Sequence, residues 1–481
     1  MTHTITIAGQ KRRLTAPPGA LLSELLLSAG LPLETPCGGK GVCKKCLVKV
    51  NGVPALSCQT RIHGDITVSL GPGSAYLPRL VPPPHIAPAE APLYSKWGLS
   101  VDIGTTTINM TLIGAERNVS AVRKNPQVSM GADVLSRIEK ALAGQLNILT
   151  NSLRTTLREM IADLTGKMKI SGNDIDGMVI TGNTTMLYLL AGLNPEALAR
   201  APFAADHLFG EMAAPEALEL YLSPSARIYL PKCISAFVGA DVVTAILASG
   251  MNNPKKTSLL IDFGTNGEVA LMHEGTFYCA STAAGPAFEG YSLSGGSYAG
   301  SGAIDRVRVE KSGRLRIATI DNAPANGICG SGIIEALSVM LKQGIIDENG
   351  YLEEDFELAN GIKITKKDIH KVQLAKGAIR AGLETLLAEA GLEKSQIDAF
   401  FISGDFGAKI NMEHAAGIGL VPRELLPVVY NIGNAAHMGA TMLLQNQAHI
   451  AAVEDIAAKA RVIPLSTNPL FAEKFAEYML F

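Results

Sequence analysis

Apolar positions along the chain fall into short runs of differing period. Ile5-Thr6-Ile7 and Arg12-Arg13-Leu14-Thr15 alternate and predict two strands around a Gly9-Gln10 turn. Leu21, Leu22, Leu25 and Leu26 then form a helical stripe ended by Gly30. Leu47–Val50 and Ile66–Leu70 read as further strands. Between residues 71 and 95 periodicity disappears and prolines accumulate, including Pro82-Pro83-Pro84, Pro88 and Pro92. A stretch so poor in donors is expected not to join a sheet, and it predicts a semi-extended tether. From Trp97 onward buried strands return, among them Met178–Ile180, Ser258–Ile261 and Phe400–Ile402, with apolar helices over Val242–Ala248 and Ile333–Gln343. Phe471 to Phe481 predicts a short amphipathic helix. The pattern divides the chain into a domain over 1–70, a linker over 71–95 and a body over 96–481, the last in two lobes of about 96–256 and 257–481.

A repeat supports the two lobes. Val101-Asp102-Ile103-Gly104-Thr105-Thr106-Thr107 follows one strand and opens another, and Ile261-Asp262-Phe263-Gly264-Thr265-Asn266-Gly267 does the same about 160 residues later. One Asp-x-Gly-Thr hairpin means little, because glycine turns are common. Two copies predict a duplicated fold with facing halves. Backbone N–H groups and hydroxyls at such turns form an anion nest, and a strand-end aspartate can hold Mg²⁺ through water.

Composition narrows the function. The chain has 481 residues, 47% of them hydrophobic, with 48 glycines, which predicts a compact α/β protein of several domains. Aromatics make up only 5% and net charge is −2, so neither base stacking nor phosphate neutralisation points to nucleic acid. No apolar run reaches the roughly eighteen residues of a spanning helix, so a soluble, cytoplasmic protein is expected. Charge is uneven, however. Residues 1–70 carry +5 and the remainder −7. Lys40, Lys44 and Lys45 lie in one loop, where they either present a docking face or offset a bound anionic centre.

That loop holds the first candidate chemistry. Cys37, Cys43, Cys46 and Cys58 follow a C-x5-C-x2-C-x11-C spacing, with Gly38, Gly39 and Gly41 interleaved. The spacing is close to the plant-type [2Fe-2S] pattern, and glycines let backbone N–H groups approach cluster sulfurs. Structural zinc usually takes two separated CxxC pairs, and only one is present. Cys233, Cys279 and Cys329 are isolated and read as buried free thiols.

Strand pair, helix, cysteine loop and strands together resemble the β-grasp ferredoxin fold. The short last interval is similar to that of succinate dehydrogenase iron–sulfur subunits. The repeated hairpins resemble the actin, sugar-kinase and heat-shock ATPase (ASKHA) superfamily. In that resemblance Asp102 and Asp262 are metal-side carboxylates, and Gly104, Thr105, Thr106, Thr107, Gly264, Thr265, Asn266 and Gly267 cradle phosphates. Ile180-Thr181-Gly182-Asn183-Thr184-Thr185 places Asn183 beside the γ-phosphate. Ala283-Ala284-Gly285-Pro286-Ala287-Phe288-Glu289 offers Gly285, with Glu289 as a catalytic or metal contact. Gly327-Ile328-Cys329-Gly330-Ser331-Gly332 brings Gly330, Ser331 and Gly332 to the nucleotide at a helix N-terminus. Ser403-Gly404-Asp405-Phe406-Gly407 places Gly404 and Asp405 in the adenosine turn. Asp241, before the Val242–Ala248 helix, is an N-cap or a catalytic group. Small residues over Asn431–Ala436 permit a close crossing of the two connecting helices.

The combination resembles the reductive activators of corrinoid proteins in anaerobic methyltransferase and O-demethylase systems. The implied fold is α/β multidomain, a β-grasp [2Fe-2S] ferredoxin domain joined to a duplicated actin-like ATPase. The implied activity is ATP-dependent reduction of inactive Co(II) to Co(I) in a corrinoid methyl-carrier protein, using a [2Fe-2S] cluster, ATP and Mg²⁺. An upstream ferredoxin or flavoprotein would supply electrons, and self-association into a homodimer is left open. An ATP-driven electron donor to another metalloenzyme, or an ASKHA small-molecule kinase with a redox domain, are the other readings. Two features depart from some relatives: the linker is short, with little room for an extra domain, and no second cysteine cluster follows at the C-terminal end.

Overall fold

In the computed structural model, the described residues are 2–8, 12–28, 46–70, 79–80, 90–131, 133–264, 266–290, 293–297, 299–310, 315–359, 361–404 and 406–481. Cys37, Cys43, Lys40, Lys44, Lys45, Thr265 and Asp405 lie outside them, and so does the side chain of Glu289.

The first sheet has strand order β2-β1-β5-β3-β4, from β1 (His3–Ile7), β2 (Arg12–Ala16), β3 (Leu47–Val50), β4 (Val53–Leu56) and β5 (Ile66–Ser69). β1 pairs antiparallel with β2 and parallel with β5, and helix α1 (Leu22–Ser28) supplies Leu22 and Leu26 to the small core with Ile5, Ile7, Val48 and Val68. This is the β-grasp arrangement. β4 was not expected. Its signal is Asn51-Gly52, both at positive φ (49° and 85°), which is the sequence a two-residue hairpin favours. Pro54 is tolerated there because β4 is the sheet edge.

The linker departs from its expectation. β6 (Arg79–Leu80) pairs parallel with Tyr430 and Asn431, because these two residues keep the N–H groups that the surrounding prolines lack. Residues 90–93 are also held. Leu93 N donates to the Leu444 carbonyl at 2.8 Å, Gln447 N to Ala91 O at 2.9 Å, and Gln447 Nε2 to Pro92 O at 2.8 Å.

The first lobe is a six-stranded sheet in the order β11-β12-β10-β7-β8-β9. Its strands are β7 (Trp97–Ile103), β8 (Thr107–Ile113), β9 (Asn118–Lys124), β10 (Ile175–Gly182), β11 (Glu211–Ala213) and β12 (Arg227–Leu230). Helices α2 (Val134–Lys140), α3 (Leu146–Met168), α4 (Thr184–Ala191) and the short α5 (Glu196–Ala199) accompany it, and α6 (Ala240–Ser249) follows.

The second lobe repeats that plan. β13 (Ser258–Phe263), β14 (Gly267–His273) and β15 (Thr276–Thr282) form an antiparallel meander, as β7, β8 and β9 do. A pair β16 (Ala303–Val309) and β17 (Leu315–Thr319), with β18 (Gly327–Ile328), makes a small side sheet before helix α7 (Gly330–Lys342). β19 (Phe356–Ala359), β20 (Ile362–Ile364) and α8 (Lys366–Glu389) follow. β21 (Ala399–Ser403) then pairs parallel with β13, just as β10 pairs with β7. After α9 (Met412–Gly417), β22 (Val429–Gly433) joins β21 and runs into α10 (Ala435–Gln445). The chain continues through α11 (Ala448–Lys459), β23 (Ala460–Val462) and α12 (Pro469–Tyr478). Each lobe is therefore a three-strand meander flanked by parallel strands and followed by a connecting helix.

Helices α6 and α10 cross closely. A Cβ on Gly439 would lie 2.0 Å from the Thr244 carbonyl oxygen, so the contact requires glycine. Val243, Ile246, Leu443 and Leu444 pack around it in one apolar cluster. The small residues that permit the approach thus include one a turn deeper in α10 than the sequence suggested.

Candidate functional site: a thiol pair and a two-sided carboxylate cleft

The thiol pair joins Cys46, immediately before β3, to Cys58 in the short turn after β4. Cys46 Sγ and Cys58 Sγ are 3.2 Å apart and both residues are buried. Ser57 N donates to the Cys46 carbonyl at 3.0 Å, which holds the two cysteine-bearing segments together. Burial raises the Cys46 thiol, but hydrogen bonds from the Cys58 backbone and thiol outweigh it and set it below its ordinary value. Two convergent sulfurs, that of Cys46 held below its ordinary value, suit a metal cluster that takes thiolate ligands.

In the first lobe, the Asp102 turn is braced from three directions. Gly104 N donates to Thr107 O at 2.9 Å and closes the hairpin, while Asn125 Nδ2 donates to Gly104 O at 2.9 Å. Arg137, fully buried at the start of α2, donates to Thr105 O. Asn183 Nδ2 donates to Thr105 Oγ1 at 3.2 Å, and Asn183 Oδ1 caps α4 by accepting from Met186 N at 2.9 Å. Asp102, Gly104, Thr105 and Asn183 are thereby brought together, with Thr106 and Thr107 in the same turn. Arg137 was missed, because nothing in a lone arginine on an amphipathic stripe announces an inward role.

In the second lobe, Gly264 N donates to Asn266 O at 3.0 Å, which tightens the corresponding turn before Gly267. Ser403 Oγ donates to Asp262 Oδ2 at 3.1 Å. Gly404 has φ 94°, and a Cβ there would lie 2.4 Å from the Phe263 carbonyl and 2.7 Å from Asp262 Oδ1, so this turn fits only glycine. Phe406 stacks on Phe288 with ring centres 5.5 Å apart and meets Phe263 edge-on at 6.1 Å. Its ring also covers Gly330, whose Cβ would fall 1.7 Å from Phe288 O. Gly330 therefore lies against this aromatic floor, whereas a Cβ on Gly332 would meet the Ile304 carbonyl at 2.1 Å. Ser331 Oγ lies 3.3 Å from Cys329 Sγ at the start of α7.

Two further acids lie beside Asp262. Glu268 stands directly opposite Asp262 in the β13–β14 register, where the first lobe sets Asn109 opposite Asp102. Like charges facing across strands repel. Burial, then the negative charges of Asp241 and Asp262, raise the Glu268 carboxyl well above its ordinary value, and Ser281 Oγ donates to it at 3.2 Å. Asp241 keeps some accessible surface yet lies deep among protein atoms, and burial pushes it up to about 6. It is not the N-cap of α6, a position held by Gly239; its Oδ1 accepts from Val242 N at 2.8 Å. Among the described residues, no three His, Cys, Asp or Glu side chains already meet at metal-ligating geometry. Cys233 and Cys279 are buried and raised to about 12 by that burial, so they are inert.

The fold and these loops define a ferredoxin-headed ATPase of the ASKHA type. Residues 5–63 match the 2Fe-2S iron-sulfur cluster binding domain, 97–254 the RACo middle region, and 256–481 the C-terminal domain of RACo, the ASKHA domain. The region described as the middle one in that family is thus the first lobe here. Corrinoid activation enzyme RamQ of Eubacterium limosum is 29% identical over a 582-residue alignment that covers 96% of each chain. The [Co(II) methylated amine-specific corrinoid protein] reductase of Methanosarcina barkeri is 28% identical over 410 residues, covering 76% of this chain and 72% of its own. A solved structure, the reductive activator for corrinoid, iron-sulfur protein, superposes with a TM-score of 0.76 at 25% identity, covering 100% of this chain and 98% of its own. The chain belongs to the family of reductive activators of corrinoid proteins.

Proposed function

We propose that this protein uses ATP to drive the one-electron reduction of a corrinoid protein from Co(II) to Co(I). The observation that carries the reading is the union, in one chain, of a convergent thiol pair in a β-grasp domain with a duplicated, two-sided carboxylate cleft. The relatives named for corrinoid activation and Co(II) corrinoid reduction favour it over another metalloenzyme acceptor or a kinase.

Bound by Cys37, Cys43, Cys46 and Cys58, a [2Fe-2S] cluster supplies electrons singly, near about −400 mV for plant-type centres. Each ~59 mV by which the Co(II) substrate lies lower costs about tenfold in equilibrium, so a second free-energy source is required. The two lobes supply it. Asp102, Thr105 and Asn183 from one side, and Asp262 and Gly264 from the other, are assigned to the phosphates of ATP, and Gly404 to the adenosine turn. Asp102 and Asp262, with Glu268, Asp241 and Glu289, are assigned to Mg²⁺ and to the attacking water. The phenylalanine floor and Gly330 are assigned to the adenosine side. Closure on nucleotide shifts the lobes only as far as nucleotide binds one arrangement better than the other. The upstream donor is read as a ferredoxin or flavoprotein, and pairing as a homodimer belongs to the same proposal.

An anaerobic mixture of the protein, a low-potential reductant, Mg-ATP and a Co(II) corrinoid methyl-carrier protein is expected to develop the Co(I) spectrum. Its failure to appear, or its appearance at the same rate without ATP, rejects the reading.

A further inference from the structure

Helix α10 follows the second lobe in sequence, but its first side chains bond to the first lobe. Asn434 Nδ2 donates to Asp102 Oδ2 at 2.8 Å. One turn on, His437 Nε2 lies 2.9 Å from Thr111 Oγ1 and 3.3 Å from Ser100 Oγ, and Thr441 Oγ1 donates to Ser100 Oγ at 2.8 Å. On the second-lobe side, Ala435 N donates to Ser403 Oγ at 3.3 Å, and that hydroxyl donates onward to Asp262 Oδ2. The carboxylates at the two opposed turns are therefore joined by one run of hydrogen bonds passing through residues 434 and 435.

Helix capping explains only half of Asn434. Its Oδ1 accepts from His437 N at 2.8 Å, which serine or aspartate could also do. Its Nδ2 is the part that capping does not require, and that is the atom on Asp102. Aspartate here would face Asp102 with like charge, and serine would cap without supplying an amide donor. A donor fixed on one carboxylate oxygen sets the rotation of that carboxylate, and this donor stands at the start of a helix that runs directly on from β22 of the other lobe.

We propose that Asn434 is a positioning residue. It orients Asp102 and, with Ser403, ties the carboxylates of the two lobes into one unit, so that Asp102 is set for Mg-nucleotide only while α10 is seated on the first lobe. The inference rests on the assignment of Asp102 and Asp262 to the metal side of the nucleotide.

Three full-length variants test it: Asn434→Ser, Asp102→Asn, and the two combined. ATP affinity is measured calorimetrically against Mg²⁺ concentration, which remains readable in an inactive protein, together with thermal melts and steady-state ATPase. Asn434→Ser keeps the cap, so its melt should follow that of the unaltered protein while the Mg²⁺ needed for half-maximal affinity rises about tenfold, the scale of one hydrogen bond to a charged group. Added to Asp102→Asn, it should change nothing further, because it acts through that carboxylate. Multiplicative effects in the double variant, or a lowered melt with an unchanged Mg²⁺ requirement, overturn the positioning role and leave Asn434 a cap. If Asp102→Asn itself leaves the Mg²⁺ requirement unchanged, the assignment of the nucleotide site falls as well. An effect of Asp102→Asn without one of Asn434→Ser removes the positioning role alone.

Discussion

Glu268 and Asp241 hold their protons in the folded chain at pH values where an unfolded chain has released them, because burial disfavours both anions. Proton binding therefore favours folding, and the metal-free protein should lose stability as pH rises from the ordinary 3.8 toward about 6 through Asp241, with Glu268 adding to the loss as pH rises past its ordinary 4.5. A cation between the carboxylates offsets this. Mg²⁺ with nucleotide is expected to raise the melting temperature more at pH 8 than at pH 5, and equal shifts at both would detach these acids from the metal. Glu268→Gln removes a facing like charge worth up to about 1 kcal/mol, so the metal-free variant should melt about 2 °C higher at pH 8 while its ATPase falls by at least about a hundredfold. Cys58→Ser should abolish the visible absorption of the reconstituted protein and leave its ATPase intact. Glu268 was partly legible. It sits inside the repeated motif, but the first copy has Asn109 at the matching register, so comparing the copies hides it. Arg137 was not legible, because only the folded chain shows that its guanidinium turns inward to a backbone carbonyl.

At the level of elements, the contact between α6 and α10 is the least forgiving. Gly439→Ala would put a methyl group 2.0 Å from the Thr244 carbonyl, and the helices would have to separate. Overpacking of this kind costs about 1–3 kcal/mol. Urea unfolding should register that loss, with ATPase reduced in parallel because α6 and α10 carry Asp241 and Asn434 to the acids of the opposite lobes. Strands that alternated or ran apolar between glycine turns were readable from sequence, as were the connecting helices, since burial on one face or all round leaves a period. β4 escaped despite its Asn51-Gly52 turn because Pro54 argues against a strand unless the edge position is known. β6 escaped for the opposite reason: proline density dominates its neighbourhood and conceals two residues with free backbone donors.

Across the whole molecule, the duplication visible as two Asp-x-Gly-Thr hairpins extends to sheet order and to the helix after each lobe. Each connecting helix brings its first turn to the opposite lobe's acids: Asn434 of α10 bonds Asp102, and Asp241 of α6 raises Glu268. The sequence could not show this exchange, because Asn434 and Asp102 are 332 positions apart and nothing in the local pattern turns Asp241 toward Glu268. A chain lacking residues 1–70 should retain ATPase and lose corrinoid reduction, since the thiols and the cleft occupy separate cores. Charge reversal at Lys44 and Lys45 should slow reduction without altering the cluster spectrum, and an unchanged rate would remove both from the docking face.

α10 has eleven residues and is thus about 16 Å long. Its leading end is bonded to Asp102, and its trailing end, at Leu444 and Gln447, holds the chain at residues 91–93, where the segment from the ferredoxin domain enters the body. The helix thus links Asp102, proposed for the nucleotide, at one end to residues 91–93, which follow the ferredoxin domain in the chain, at the other. A tilt about the Gly439 crossing, near its middle, displaces both tips together in opposite senses. If the helix tilts in this way, the anchor of residues 91–93 and the setting of Asp102 would change together.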